Sequence, residues 1–345
     1  MIKFIKQLAL PALTVTALIA APVANAAAAK KTLCVFDIVG TQGDVYNMMK
    51  DYKLAALNWG VDFDLKSYTD EKIAADDFKA NRCDAVAITG IRGREFNPFS
   101  GSIDSIGGLP TYEHLKMVIQ TVSKPEAAKL MTNGNYEVAG VVPGGAAYLF
   151  LRDRTIDNVA KLSGKRIGVL EYDQAQPDMV NKVGAAVVNT TITNFAGKFN
   201  NGTVDAVPAP ALAYQALELY KGLNPNSAAN PPGGIVRFAL AQLTMQLILH
   251  KDAFPADYGQ KSREYSLSQF DKAMEIINRA TNSIDSKYWI DLPEKDKIGY
   301  MEMFRQARLS LKQKGIYDAK MLSVMFKVRC KMEPQNPECS APDHE

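Results

Sequence analysis

Hydrophobic period changes several times within the first ninety residues. Thr32 to Val39 is a β-rich run that stops at Gly40-Thr41-Gln42-Gly43-Asp44. Val45 to Asn58 repeats at helical spacing through Tyr46, Met49, Leu54 and Leu57 and ends at Gly60. Val61 to Tyr68 alternates, with Val61, Phe63 and Leu65 on one face and Asp62, Asp64 and Lys66 on the other. Thr69 is placed to cap a helix over Asp70 to Ala80, and Asp84 to Thr89 is an apolar strand ending at Gly90. Three strands and two helices within about 60 residues predict parallel βαβ units with right-handed crossovers.

The pattern then loosens and restarts. Gly101 to Gly108 reads as loop, while Tyr112 to Val122 and Pro125 to Asn133 read as helices. Val138 to Val142 is a strand ending at Pro143-Gly144-Gly145, and Ala147 to Leu151 is a second short extended run. A short helix over Thr155 to Leu162 leads through Ser163-Gly164-Lys165 to an apolar strand, Ile167 to Leu170. That strand stops at Glu171-Tyr172-Asp173, where Asp173 can cap a following helix. The second set contains a helix near Gln176 to Val183, a strand near Ala186 to Val188, a segment Phe195 to Asn200, a strand ending at Pro208, and a helix Ala211 to Tyr220.

Asn224 to Gly234 is a Pro/Gly/Asn loop. Phe238 to Leu249 alternates, with Gln242, Thr244 and Gln246 opposite an apolar face, and is long enough to run through two lobes. Leu267 to Ser283, Glu294 to Lys314 and Ala319 to Lys331 make the last third helical.

The first 26 residues change the compartment. Lys3 and Lys6 precede an apolar run, Leu8 to Ala20, and Ala24-Asn25-Ala26 fits a small-x-small cleavage site. That run is short of the roughly 20 residues a membrane span needs, so a cleaved signal peptide and a soluble periplasmic protein are expected. No cysteine stands near the site to carry a lipid anchor. The formal charge of +3 falls to +1 without Lys3 and Lys6, which gives no argument for nucleic acid or an anionic membrane. Four cysteines suit an oxidising compartment. If the first and third strands are parallel neighbours, Cys34 and Cys83 can bridge; Cys330 and Cys339 can close a small loop on the tail. No Cys or His spacing suggests a metal site.

Four stretches resemble the TRAP-transporter (DctP-like) family of periplasmic solute-binding proteins. They are Gly108-Leu109-Pro110-Thr111-Tyr112-Glu113-His114; Thr155 to Val169 with Leu162-Ser163-Gly164-Lys165-Arg166-Ile167; Asn201-Gly202-Thr203-Val204-Asp205-Ala206; and His250-Lys251-Asp252-Ala253-Phe254-Pro255. The whole chain also resembles a poorly characterised Acinetobacter-type group labelled as an aminoglycoside-resistance efflux component. An efflux pump of that class needs membrane spans, which the chain after its leader does not show. The resemblance implies an α/β, two-lobed, type II-like binding-protein fold with a helical C-terminal third. Lobe 1 would hold 27–145 and about 235–255. Lobe 2 would hold 146–234, about 256–345 and the C-terminal helices. It also implies a monomeric receptor that passes a small-molecule solute to integral-membrane transporter subunits. Relatives that bind carboxylates carry an arginine clamp at the position occupied here by Gly168; Arg166 is out of register with it. Either the ligand is not a simple carboxylate, or Arg92 or Arg94 replaces the clamp.

Ligands of such folds lie at strand carboxyl ends. The candidate contacts are Thr41, Gln42, Asp44, Thr89, Arg92, Tyr148, Glu171, Tyr172, Asp173, Pro208 and Tyr214. Helix capping competes for Thr41, Gln42, Asp44 and Asp173, a surface ion pair for Arg92, and core packing for Tyr148 and Tyr172. Glu171 and Asp173 could pair a cationic ligand. The three histidines, His114, His250 and His344, show no catalytic spacing, and there is no Gly-x-Ser-x-Gly, phosphate loop or His-Glu-x-x-His. The expected protein is therefore not an enzyme and needs no cofactor. An envelope adaptor without a ligand, or an enzyme on the same scaffold, are the alternatives.

Overall fold

The computed structural model describes Met1 and residues 28–345; the expected leader and its cleavage site lie outside the described residues. Among the described residues ten strands form one sheet: β1 Ala29–Phe36, β2 Val61–Tyr68, β3 Ala85–Thr89, β4 Thr132–Asn133, β5 Tyr136–Leu151, β6 Arg166–Leu170, β7 Ala186–Thr190, β8 Ala206–Pro210, β9 Gly234–His250 and β10 Trp289–Ile290. The main order is β2-β1-β3-β9-β5-β8-β6-β7, with β4 on β5 and β10 on β9. The longer helices are α1 Asp44–Leu57, α2 Glu71–Lys79, α3 Tyr112–Val122, α4 Ala175–Lys182, α5 Tyr258–Ser268, α6 Phe270–Asn282, α7 Glu294–Gln313 and α8 Ala319–Met332.

Parallel pairing of β1 with β2 and β3, and of β6 with β7 and β8, makes two βαβ sets. They are joined by the antiparallel pair β5 and β9, whose 16 and 17 residues each extend for roughly 50 Å. Met245–Leu249 of β9 pair with β3, while Ala147–Leu151 of β5 pair with β8. Both strands thus belong to two lobes. Buried clusters cover both faces in each lobe. In the first, Phe78, Leu115, Val118 and Met321 lie on one face and Tyr52, Phe63 and Tyr258 on the other. In the second, Phe150, Phe199 and Trp289 oppose Leu151, Ile167 and Phe304.

Several expected boundaries move. Val138 to Val142 and Ala147 to Leu151 are one strand: register shifts near Val138, Pro143 and Ala147 absorb the interruption, and Gly145 takes φ +100°. Pro125 to Asn133 is not a helix but a short turn, Pro125–Ala127, followed by β4, because Thr132 and Asn133 pair with β5. Ala211 to Tyr220 divides into Leu212–Ala216 and Tyr220–Leu223 around Glu218, whose φ is +54°. Thr155 to Leu162 keeps only one turn, Val159–Leu162. Leu267 to Ser283 begins earlier, at Tyr258, and breaks at Gln269 between α5 and α6. Asp70, not Thr69, caps α2 by accepting from Lys72 N.

Disulfides join Cys34 to Cys83, with Cα atoms 5.9 Å apart, and Cys330 to Cys339, at 5.6 Å. The first ties β1 to the entry of β3. The second pins the tail against α8. Among the described residues no helix is long and apolar enough to cross a membrane, and no His/Cys/Asp/Glu group is placed to hold a metal.

Candidate functional site

A cavity of about 410 Å³ lies between the lobes, where β5 and β9 pass from one to the other. That is within the range of roughly 300–1,000 Å³ typical of small-molecule sites. Of the expected contacts, Asp44, Thr89, Tyr172, Asp173 and Pro208 lie on its wall. Thr41, Gln42, Arg92, Tyr148, Glu171 and Tyr214 do not. Thr41 and Gln42 are exposed on a single turn, Gly40–Gln42, ahead of α1. Tyr148 alternates away from Ala147 and Leu149, which do line the cavity, and packs edge-on against Trp289 at 5.1 Å. Tyr214 is buried beside Tyr220 and Tyr288. Glu171 faces solvent.

Two polar latches join the lobes beside the cavity. In the first, Glu71 at the start of α2 accepts from Thr89 N at 2.7 Å and from the Tyr172 hydroxyl at 2.8 Å. The Arg92 guanidinium stacks over the Tyr172 ring at 3.4 Å, with its Nε 3.9 Å from Glu71. Burial raises both the Glu71 carboxyl and the Tyr172 hydroxyl above their ordinary values. In the second latch, Arg94 Nη1 donates to Asp173 Oδ1 at 2.9 Å, and the same oxygen accepts from Ala175 N at 3.0 Å. Asp173 is thus a helix-entry acceptor and an interlobe partner at once. Arg94 also donates to Gly101 O at 3.2 Å and lies over Tyr317. Gly101 is required there, since a Cβ would come within 2.3 Å of the Arg94 Cα.

The family clamp position is closed to a large side chain. A Cβ on Gly168 would lie 2.9 Å from Val207 Cγ1 and 3.3 Å from Thr190 Cγ2. Arg166 sits at the outer end of β6 and is paired with Asp205, at 2.7 Å.

Sequence reasoning missed the innermost polar wall. Asp104 falls in the segment expected to be loop, where a short turn, Ser102–Asp104, buries it. Its carboxyl accepts from the Thr244 hydroxyl at 2.6 Å and from Thr244 N at 3.1 Å. Gln246 donates to Ser100 O at 3.0 Å and accepts from its hydroxyl at 2.9 Å. The available signal was the Gln242-Thr244-Gln246 face of the long strand, which points inward rather than to water. Burial pushes the Asp104 carboxyl up to about 7; Thr244 and the nearby Arg94 oppose this, and Asp173 reinforces it. Between about pH 4 and pH 7 the unfolded chain has lost this proton while the folded one keeps it. Stability should therefore fall by a few kcal/mol as pH rises across that window. Asp104→Asn should flatten this part of the profile, measured by denaturant unfolding at each pH; an unchanged slope would refute the burial argument.

A two-lobed α/β body, a cavity at the crossing strands and cross-cleft latches define a solute-binding receptor. The family model described as "Solute-binding protein AdeT 1/2" matches residues 53–344. The chain is 46% identical over 308 residues to the "Probable solute-binding protein AdeT1" of Acinetobacter baumannii, covering 89% of this chain and 99% of that one. It belongs to the AdeT 1/2 solute-binding protein family. Its fold is similar to a TRAP periplasmic solute-binding protein from Desulfovibrio salexigens with bound orotic acid (TM-score 0.67, 12% identity, 88% of this chain and 99% of that one). It is also similar to one from Shewanella oneidensis with bound succinate (TM-score 0.69, 11% identity, 88% and 99%). The protein is a receptor for a small solute.

Proposed function

We propose that this receptor works in the periplasm after removal of residues 1–26, closes on its solute by hinge motion of the two lobes, and delivers it to integral-membrane transporter subunits. The observation that carries the reading is the placing of a cavity between lobes whose facing polar groups, Arg94 with Asp173 and Glu71 with Tyr172, meet across the cleft. Closure around a ligand by hinge bending at crossing strands is a recurrent device of two-lobed binding proteins. Binding without turnover is the chemistry this reading favours: among the described residues that line the wall there is no histidine or cysteine, and its acids are engaged with backbone or side-chain partners.

A thermal-shift screen of the mature protein against carboxylates, amines, amino acids and aminoglycosides tests the receptor. A ligand that binds only the folded state stabilises it by about 2.7 kcal/mol at a hundredfold excess over its Kd. A saturable rise in Tm is expected for one class. A flat response to every class would favour an adaptor that has kept the lobes without a ligand.

A further inference from the structure

The polarity of the cavity narrows its occupant. Its wall is mostly aliphatic and sulfur-bearing, with Met48, Met49, Val142, Met179, Leu212 and Ile276 among its members. Methionine walls adapt to irregular apolar shapes. No lysine, arginine or histidine is among the described residues that line it. The arginines beside it are already paired: Arg92 stacks on Tyr172 with Glu71 and Glu95 each 3.9 Å away, Arg94 donates to Asp173, and Arg279 donates to Asp44 on the wall. An anionic solute would lose its hydration without gaining a partner unless it displaced the acid from one of these pairs.

The acids point the other way. Asp104 lies on the wall, 4% exposed, and its two hydrogen bonds from Thr244 leave lone pairs on both oxygens. The charged groups around it are Arg94 from the first lobe and Asp173 from the second; the Tyr317 hydroxyl, held by Ile106 N, faces the same cluster. Two carboxyls beside one guanidinium carry a net single negative charge when both are ionised. Phe304, Tyr300 and Tyr317 add aromatic surface on the same wall, which suits a cation.

We propose that the cavity takes an organic monocation, an amine carried on a largely apolar body, with Asp104 receiving the ammonium head. This rests on the receptor reading above. A neutral Asp104 in the empty cavity avoids a buried bare charge, and the arriving ammonium supplies the partner that lets it ionise.

Isothermal titration of the mature protein with phenethylamine, phenethyl alcohol and phenylpropanoate separates the possibilities. The amine should bind tightest and the carboxylate weakest. Asp104→Asn should weaken amine binding by about tenfold to a hundredfold, the worth of a charge-assisted hydrogen bond, while leaving the alcohol within a few-fold. Should that variant fold poorly, the wild type gives a second readout. Amine affinity should rise about tenfold from pH 6 to pH 8 as Asp104 ionises more readily. Alcohol affinity should stay level. Carboxylate binding as tight as the amine, or amine binding indifferent to both Asp104→Asn and pH, overturns the inference. If instead succinate or glucuronate binds and the amine does not, the cation assignment fails and the receptor survives. No heat and no Tm shift from any of these probes at millimolar concentration would count against both.

Discussion

Replacing Glu338 with glutamine is expected to destabilise the protein by about 3–5 kcal/mol, the cost of leaving buried charge without its partner. Arg308 on α7 and Arg329 on α8 are almost completely buried. Glu338 accepts from Arg308 Nη2 at 2.8 and 2.9 Å and from Arg329 Nη2 at 2.9 Å. Glu345 joins both, accepting from Arg329 Nη2 at 2.7 Å and from Arg308 Nε. The other Nη1 groups donate to Ile106 O at 3.0 Å and Gly108 O at 2.7 Å. The tail carboxylates therefore hold two guanidiniums that in turn hold the backbone just beyond Asp104. Gly107 between them has φ +58° and sits against Phe304, so this stretch has little freedom to relax around a lost partner. At roughly 2–4 °C per kcal/mol, Tm should drop by on the order of 10 °C, read by circular dichroism. Glu302→Gln, on the exposed face of α7, should change stability by no more than about 0.5 kcal/mol. Equal melting of the two variants would mean that the clasp does not bear on folding.

Arg94→Met should open the cleft. Closing the lobes would then bury Asp173, 5% exposed, with Ala175 N as its remaining recorded partner in place of a guanidinium at 2.9 Å. The penalty falls on the closed state alone, because an open cleft leaves Asp173 in water. If breaking the pair costs about 3 kcal/mol, the closed population falls more than a hundredfold relative to the open one, and apparent ligand affinity falls with the competent fraction. Small-angle scattering of the ligand-free protein should report a larger radius of gyration, and titration with whichever probe binds should report the weakened affinity. Adding Asp173→Asn keeps an acceptor for Ala175 N and removes the unpaired charge, so the double variant should recover much of the closure. A double variant no more closed than the single one would show that the pair is not a latch.

Part of the site was legible because it follows from local pattern. The strand Ile167–Leu170 and its stop at Glu171-Tyr172-Asp173 deliver Tyr172 and Asp173 to the cleft. The alternation of apolar and polar residues from Phe238 to Leu249 marks a crossing strand, and the glycine at 168 excludes the carboxylate clamp. Other assignments failed where a side chain's direction depends on its partner. Tyr148 and Tyr214 satisfy aromatic packing in the second lobe, against Trp289 and Tyr288 from far along the chain. Arg92 and Arg94 read as a replacement for the clamp, with a surface ion pair competing for Arg92; in the fold both meet groups of the opposite lobe, more than seventy residues away in sequence. Asp104 gave no signal, since a lone acid in a Gly/Ser stretch looks like a turn until Thr244 is brought beside it.

By itself the sequence determined the α/β class, the two βαβ sets and the crossing strand, because period and turn chemistry are local properties. The pairing of Cys34 with Cys83 followed once β1 and β3 were taken as neighbours. Only the tertiary structure decided that β5 is a single bulged strand, that the first-lobe arginines meet second-lobe groups across the cleft, and that an acid waits on an apolar wall. Those outcomes rest on contacts between residues far apart in the chain. Burial and charge pairing there depend on which surfaces meet, and no window of sequence contains both partners.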